Sequence, residues 1–141
     1  MTEVREVCEL GASTAHVWSL IGDFGGFAEM LVSPRNGTVR ISGAGVGMTR
    51  TVTIGDEHLV ERLDDIDDID WCTRYSMLVT GPLPIADYRA TISLFPLATN
   101  RCALVWVGSF VPDGASETEA AEAIRAVYVE GIDLMRRRFG A

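Results

Sequence analysis

Hydrophobic side chains recur every three or four positions over one long stretch only, Ser116 to Phe139. Ala120, Ile124, Val127, Tyr128, Gly131, Leu134, Met135 and Phe139 share one side of a helical wheel, while Glu122, Arg125, Glu130 and Asp133 share the other. That spacing predicts an amphipathic helix with one buried face. Ser116-Glu117-Thr118-Glu119 is a capping box that starts it, and Gly140 is placed to stop it. Glu117, Glu119 and Glu122 suit the positive end of the helix dipole and Arg136, Arg137 and Arg138 the negative end. Such a rod is roughly 35 Å long at ~1.5 Å per residue, so it needs a broad sheet as its partner. Gly131 interrupts the apolar face, where glycine costs about 1 kcal/mol relative to alanine. Either a strand approaches closely there or a notch is kept for a guest.

The rest of the chain alternates with period two. Val4 to Leu10 is a first strand, with the Val4/Cys8/Leu10 set or the Arg5/Val7 set facing inward. Ser13 caps a short helix carrying Val17, Trp18, Leu20 and Ile21, and Asp23 caps a second, Phe24 to Met30. Pro34 to Gly37 turns the chain into strands around Val39 and Ile41 and from Met48 to Ile54, separated by the glycine-rich loop Gly43 to Gly47. Gly55-Asp56 is a two-residue hairpin turn, so register can be counted outward from it. Val52 then faces Leu59, Arg50 faces Glu61 and Met48 faces Leu63; on the other side Thr53 meets His58, Thr51 meets Val60 and Thr49 meets Arg62. The first set holds four large apolar residues and is the expected inner face, with an Arg50–Glu61 pair on it. An acidic reversal, Asp64 to Asp70, leads to a strand whose Trp71, Tyr75, Met77 and Val79 point in. After Gly81-Pro82-Leu83-Pro84, residues Tyr88, Ala90, Ile92 and Leu94 alternate with Arg89, Thr91 and Ser93. The last strand, Cys102 to Val111, is apolar on both faces, and alternation does not decide between them; the Trp106, Gly108 and Phe110 set is preferred toward the helix.

A chain of 141 residues with 48% hydrophobic content supports one core, hence a single domain over residues 1–141. A net charge of −8 would repel a phosphate backbone, so nucleic acid is not an expected partner. Cys8, Cys72 and Cys102 have neither metal nor redox spacing, and no apolar run approaches the ~18 residues of a membrane span. A cytoplasmic protein without membrane insertion is expected.

Ser13-x-x-x-Val17-Trp18, Asp23-Phe24-Gly25, Gly45-x-Gly47-x-x-Arg50, Glu61-Arg62-Leu63, Gly81 to Pro84, Tyr88-Arg89-Ala90-Thr91, Trp106 and the Gly131-to-Phe139 helix end occur in a telling order. Through them the chain resembles, over essentially its whole length, the START-like SRPBCC superfamily and within it the bacterial polyketide cyclase/dehydratase-like proteins. The resemblance implies an α+β helix-grip fold, a curved seven-stranded antiparallel sheet wrapped around a long C-terminal helix, with two short helices after strand 1 and an apolar cavity inside. It also implies hydrophobic ligand binding, lipid carriage, or aromatase and cyclase action on polyketides. Met30-Leu31-Val32 stands where many members carry a Trp, so no role is carried over for that aromatic.

The candidate chemistry follows from those placements. A buried ion pair stabilises no more than apolar residues of the same volume, so Arg50 and Glu61 on a cavity wall are candidates to meet a carbonyl, enolate or carboxylate. A register-fixing cross-strand pair is the bland alternative. Tyr75, Tyr88 and Tyr128 are either hydrogen-bond donors to a ligand or core tyrosines with local partners. Arg50, Glu61 and Tyr75 are the expected catalytic set. Val52, Leu59, Trp71, Met77, Tyr88, Ile92, Trp106, Phe110, Tyr128, Gly131 and Met135 are the expected ligand wall, unless they are ordinary core. The glycine loop leads into a strand and lacks the Lys-Ser/Thr ending of a phosphate loop. The acidic run lacks a helix to align its carboxylates on a metal, and His16 and His58 are isolated. No cofactor or metal is expected. The expected partner is a hydrophobic, aromatic or polyketide-like small molecule, held for cofactor-free cyclisation or dehydration or simply carried, with a second copy of the chain or a protein partner left open.

Overall fold

The computed structural model describes residues 1–141. It contains strands β1 (Thr2–Leu10), β2 (Thr38–Ser42), β3 (Thr49–Ile54), β4 (Glu57–Asp67), β5 (Cys72–Val79), β6 (Ile85–Ala98) and β7 (Arg101–Pro112). The helices are α1 (Thr14–Ile21), α2 (Phe24–Val32) and α3 (Glu117–Phe139), with a 3-10 turn at Ser33–Arg35. All seven strands pair antiparallel in one sheet ordered β1-β7-β6-β5-β4-β3-β2. The meander from β2 to β7 therefore ends against β1, and the curved sheet grips α3 on its concave side.

The caps form as the side-chain chemistry requires. Ser13 Oγ accepts from the His16 N–H at 3.1 Å and Asp23 Oδ1 from the Gly26 N–H at 3.0 Å. Ser116 and Glu119 close the capping box reciprocally at 3.1 and 3.2 Å. Hydrogen bonds from Ser116 hold the Glu119 carboxyl below its usual pKa. The β3–β4 register is the one counted from Gly55-Asp56: Val52 faces Leu59, Arg50 faces Glu61 and Thr53 faces His58. Leu63 then takes both Gly47 and Met48 as backbone partners, a bulge at the end of the hairpin. On β1 the inward set is Val4, Cys8 and Leu10, while Val7 is exposed.

Three local expectations are corrected. The acidic stretch is mostly strand: β4 continues to Asp67, and a register shift between Leu63 and Asp65 lets Ile66 reach the core. The turn itself is built by Asp67, whose Oδ1 accepts from the Ile69 and Asp70 N–H groups at 2.9 and 3.0 Å, which lowers its pKa. Trp71 therefore lies in the turn, at φ 50°, rather than on β5, and Val79 at the far end of β5 is exposed. On α3 the buried face takes in Ile132, while Val127 is exposed, because α3 leans onto β1 and β7 rather than lying over the sheet centre.

That lean decides where space is left. α3 covers β1 and β7, α2 covers β2 and β3, and the apolar interior divides accordingly. A large cluster holds Trp106, Phe110, Ile124, Tyr128 and Met135, and a small one holds Ala28, Val32 and Val52.

Candidate functional site

Between the two clusters lies a cavity of about 210 Å³. The β3–β4 hairpin contributes Val52, Ile54, Leu59 and Glu61; β5 to β7 contribute Tyr75, Met77, Tyr88 and Trp106. α2 supplies Ala28, Leu31 and Val32, and α3 supplies Ile124, Val127, Tyr128 and Gly131. At the mouth stand Pro82, Leu83 and the ion pair of Arg35 with Glu130, whose side chains are 58% and 38% exposed. The polar groups away from the mouth are Glu61 and the three tyrosines.

Arg50 and Glu61 are both buried, and Arg50 Nε donates to Glu61 Oε1 at 2.9 Å. Arg50 NH1 also donates to the Phe24 carbonyl at 2.7 Å, and its guanidinium lies 3.9 Å from the Phe24 ring centroid and 5.0 Å from that of Tyr75. The planar cation is thus held between two aromatic faces. Arg50 departs from the expectation: it is not on the cavity wall, and it fastens the start of α2 to the hairpin. Glu61 is on the wall. Its Oε1 is taken by Arg50, and no fully buried side-chain oxygen lacks a partner, so Oε2, which no protein group engages, opens on the cavity.

The tyrosines come from three elements yet meet at their hydroxyls. Tyr88 and Tyr128 share a hydrogen bond, Tyr75 lies 3.5 Å from Tyr88, and the Trp106 indole N–H donates to the Tyr75 oxygen at 3.0 Å. Trp106 in turn stacks on Tyr128 with ring centroids 4.1 Å apart. Burial pushes the Tyr75 phenol up to about 12, with the Glu61 charge adding to the shift, and pushes Tyr88 and Tyr128 well above the ordinary range. All three are neutral donors at neutral pH rather than bases.

Of the expected wall, Val52, Leu59, Met77, Tyr88, Trp106, Tyr128 and Gly131 line the cavity, together with Glu61 and Tyr75. Ile92, Phe110 and Met135 are buried in the large cluster, and Trp71 packs partly buried against it. Gly131 answers both readings of its missing side chain: a Cβ there would meet Leu31 Cδ2 and Trp106 Cζ3 at 2.9 Å, and the notch also faces the cavity. Gly108 is the residue whose role sequence reasoning passed over. A Cβ on it would stand 2.1 Å from the Tyr128 hydroxyl, so its absence makes the tyrosine cluster possible. The available signal was a glycine inside an otherwise bulky strand. The mouth pair Arg35–Glu130, 95 residues apart in sequence, left no local signal.

The family described as polyketide cyclase / dehydrase and lipid transport matches residues 1–140. Among solved structures, a Thermobifida fusca protein is similar at 29% identity and TM-score 0.86, over 99% of this chain and 94% of that one. The Bacillus cereus protein XoxI is similar at 24% identity and TM-score 0.87, over 99% and 96%. The ZhuI aromatase/cyclase from Streptomyces sp. R1128 shares the fold at 22% identity and TM-score 0.72, over 94% and 87%. No curated protein matches the sequence. No helix is long and apolar enough to cross a membrane.

Proposed function

Because the chain belongs to the polyketide cyclase/dehydrase and lipid transport family, a family of hydrophobic ligand-binding folds, we propose that its cavity holds a small aromatic or polyketide-like molecule. The carrying observation is the cavity itself, apolar along its length and polar at Glu61 and the tyrosines. Its size sets the guest. An apolar cavity of ~150 Å³ takes one benzene ring, so about 210 Å³ suits a body of one to two rings.

The polar end supports cofactor-free cyclisation or dehydration. Glu61 receives a proton from a carbon acidified by a neighbouring carbonyl, and the Tyr75 hydroxyl holds the oxygen on which negative charge develops. Arg50 acts through Glu61 and Tyr75 as a positioning residue. A second reading, carriage without chemistry, is favoured by the predominance of apolar wall. Native mass spectrometry of freshly purified protein, followed by melting-temperature shifts with a panel of one- and two-ring compounds, tests the shared premise. A retained or stabilising small hydrophobic ligand is expected. No retained molecule and no shift across the panel would remove it. Turnover of a bound oxo-compound that is lost in Glu61→Gln separates catalysis from carriage.

A further inference from the structure

Strand β7 is apolar on both faces. Cys102, Leu104, Trp106 and Phe110 point inward and fill the core, yet Ala103, Val105 and Val107, which point to the convex side, are apolar as well. A strand with one face in water alternates apolar with polar residues, whereas a strand apolar on both faces is covered on both. Strand pairing widens the apolar centre: Val7 of β1 lies beside Val105 and Phe95 of β6 beside Ala103, and these two are 56% and 51% exposed. Charges ring it, with Glu9 and Arg101 joined at 2.7 Å at one end and Glu3, Arg5 and Arg89 toward the other. An apolar centre inside a charged rim is the anatomy of a protein–protein contact.

We propose that this convex face pairs with the same face of a second copy of the chain, about a two-fold axis running along β7. Glu3 and Arg89 flank Ser109 from its two sides, and neither makes an ion pair within the chain. Rotation about β7 carries β1 of one copy over β6 of the other at the same level, so Glu3 of each copy meets Arg89 of the other. Val105 and Val107 meet their own images on the axis, Val7 comes over Ser93, and Phe95 comes over the Glu9–Arg101 pair. An axis across the strands would instead set Glu3 on Glu9 of the other copy, a like-charge contact. The sheets then stack about 10 Å apart in the aligned packing of a β-sandwich, a gap that glutamate and arginine side chains bridge. Acidic residues outnumber basic ones by twenty to twelve over the chain, so two copies repel in general; on this face Arg5, Arg89 and Arg101 offset Glu3 and Glu9. The contact lies behind the sheet and leaves the cavity mouth open, so it stands apart from the ligand reading.

Sedimentation of the full chain across the micromolar to millimolar range should show its 15.3 kDa mass doubling. Val105→Lys sets two ammonium groups against each other on the axis and should leave a monomer. Glu3→Arg and Arg89→Glu, both at exposed positions, should each weaken the dimer by about tenfold or more, since either change puts like charges in contact twice. Mixed in equal amounts, these two variants should recover it: one presents arginine at both positions and the other glutamate at both, so every contact regains opposite signs. A loss of folding in either variant could not produce that recovery. A monomer throughout the range, a dimer that Val105→Lys or the single charge changes leave intact, or no recovery on mixing would overturn the inference.

Discussion

Gly108→Ala isolates the contact on which the tyrosine cluster depends. The Gly108 backbone is one that alanine adopts, so any cost is steric rather than conformational. The new methyl would stand 2.1 Å from the Tyr128 oxygen and 3.2 Å from Tyr128 Cζ and Tyr88 Cε2. Tyr128 has little room to yield, because its ring is stacked on Trp106. Overpacking of this kind costs roughly 1–3 kcal/mol, and loss of the Tyr88–Tyr128 hydrogen bond adds about 1 kcal/mol. Replacing glycine at a permitted conformation returns roughly 0.5 kcal/mol through the unfolded chain. The net expectation is about 1.5–3.5 kcal/mol, or roughly 5–14 °C in Tm for a chain of this size. In a Tyr128→Phe background the oxygen is gone and only the 3.2 Å contacts remain, so the same substitution should cost less than about 1 kcal/mol. Urea unfolding of the four proteins, followed by tryptophan fluorescence, gives the coupling. Equal costs in the two backgrounds, within about 0.5 kcal/mol, would refute the idea that Gly108 exists to admit that hydroxyl.

Arg50→Ala should destabilise by roughly 3–5 kcal/mol by stranding the Glu61 carboxylate, whereas Arg50→Met/Glu61→Leu should come within about 1 kcal/mol of the parent or exceed it; urea midpoints separate the two outcomes. Stability should fall in alkali: Tyr75 is pushed up from 10 to about 12, so its contribution is complete below pH 10 and is lost as pH rises toward 12. At about 1.4 kcal/mol per pH unit this is on the order of 3 kcal/mol for Tyr75, and denaturation curves on Tyr75→Phe should lack that share. The buried Cys8 thiol, pushed up from 9 to about 11, gives an earlier loss of the same sign, which Cys8→Ala should remove. No lysine overlies these transitions, since the chain contains none and all twelve of its Lys/Arg positions are arginine. Gly131→Ala gains helix propensity of about 1 kcal/mol but pushes Leu31 and the Trp106 edge from 2.9 Å contact; Tm should change little while affinity for a two-ring ligand falls, as calorimetry would show.

Much of the architecture was legible because it is written in local patterns. The Gly55-Asp56 turn sets the β3–β4 register, and with period two that register places Arg50, Val52, Glu61 and Leu63 on one face without reference to anything distant. The Ser116–Glu119 box and the three terminal arginines mark both ends of α3. Expectation failed where a backbone irregularity broke the count. The shift between Leu63 and Asp65 extended β4 through the acidic run and moved Trp71 off the strand that alternation had assigned it.

What the sequence determined by itself is therefore the set of elements, their faces and the presence of a charged pair on the inner one, since each depends on neighbours within a turn or a hairpin. What only the tertiary structure decided is which inward residues meet empty space. The tilt of α3 toward β1 and β7 leaves Glu61 and Tyr75 on a cavity wall while closing Arg50 between two rings and Ile92, Phe110 and Met135 into solid core. Gly108 and Tyr128 meet across 20 positions of chain, and their contact settles where the hydroxyls converge. Inward direction is a property of the local backbone; a void is a property of how separately formed surfaces fail to touch, and no local pattern encodes it.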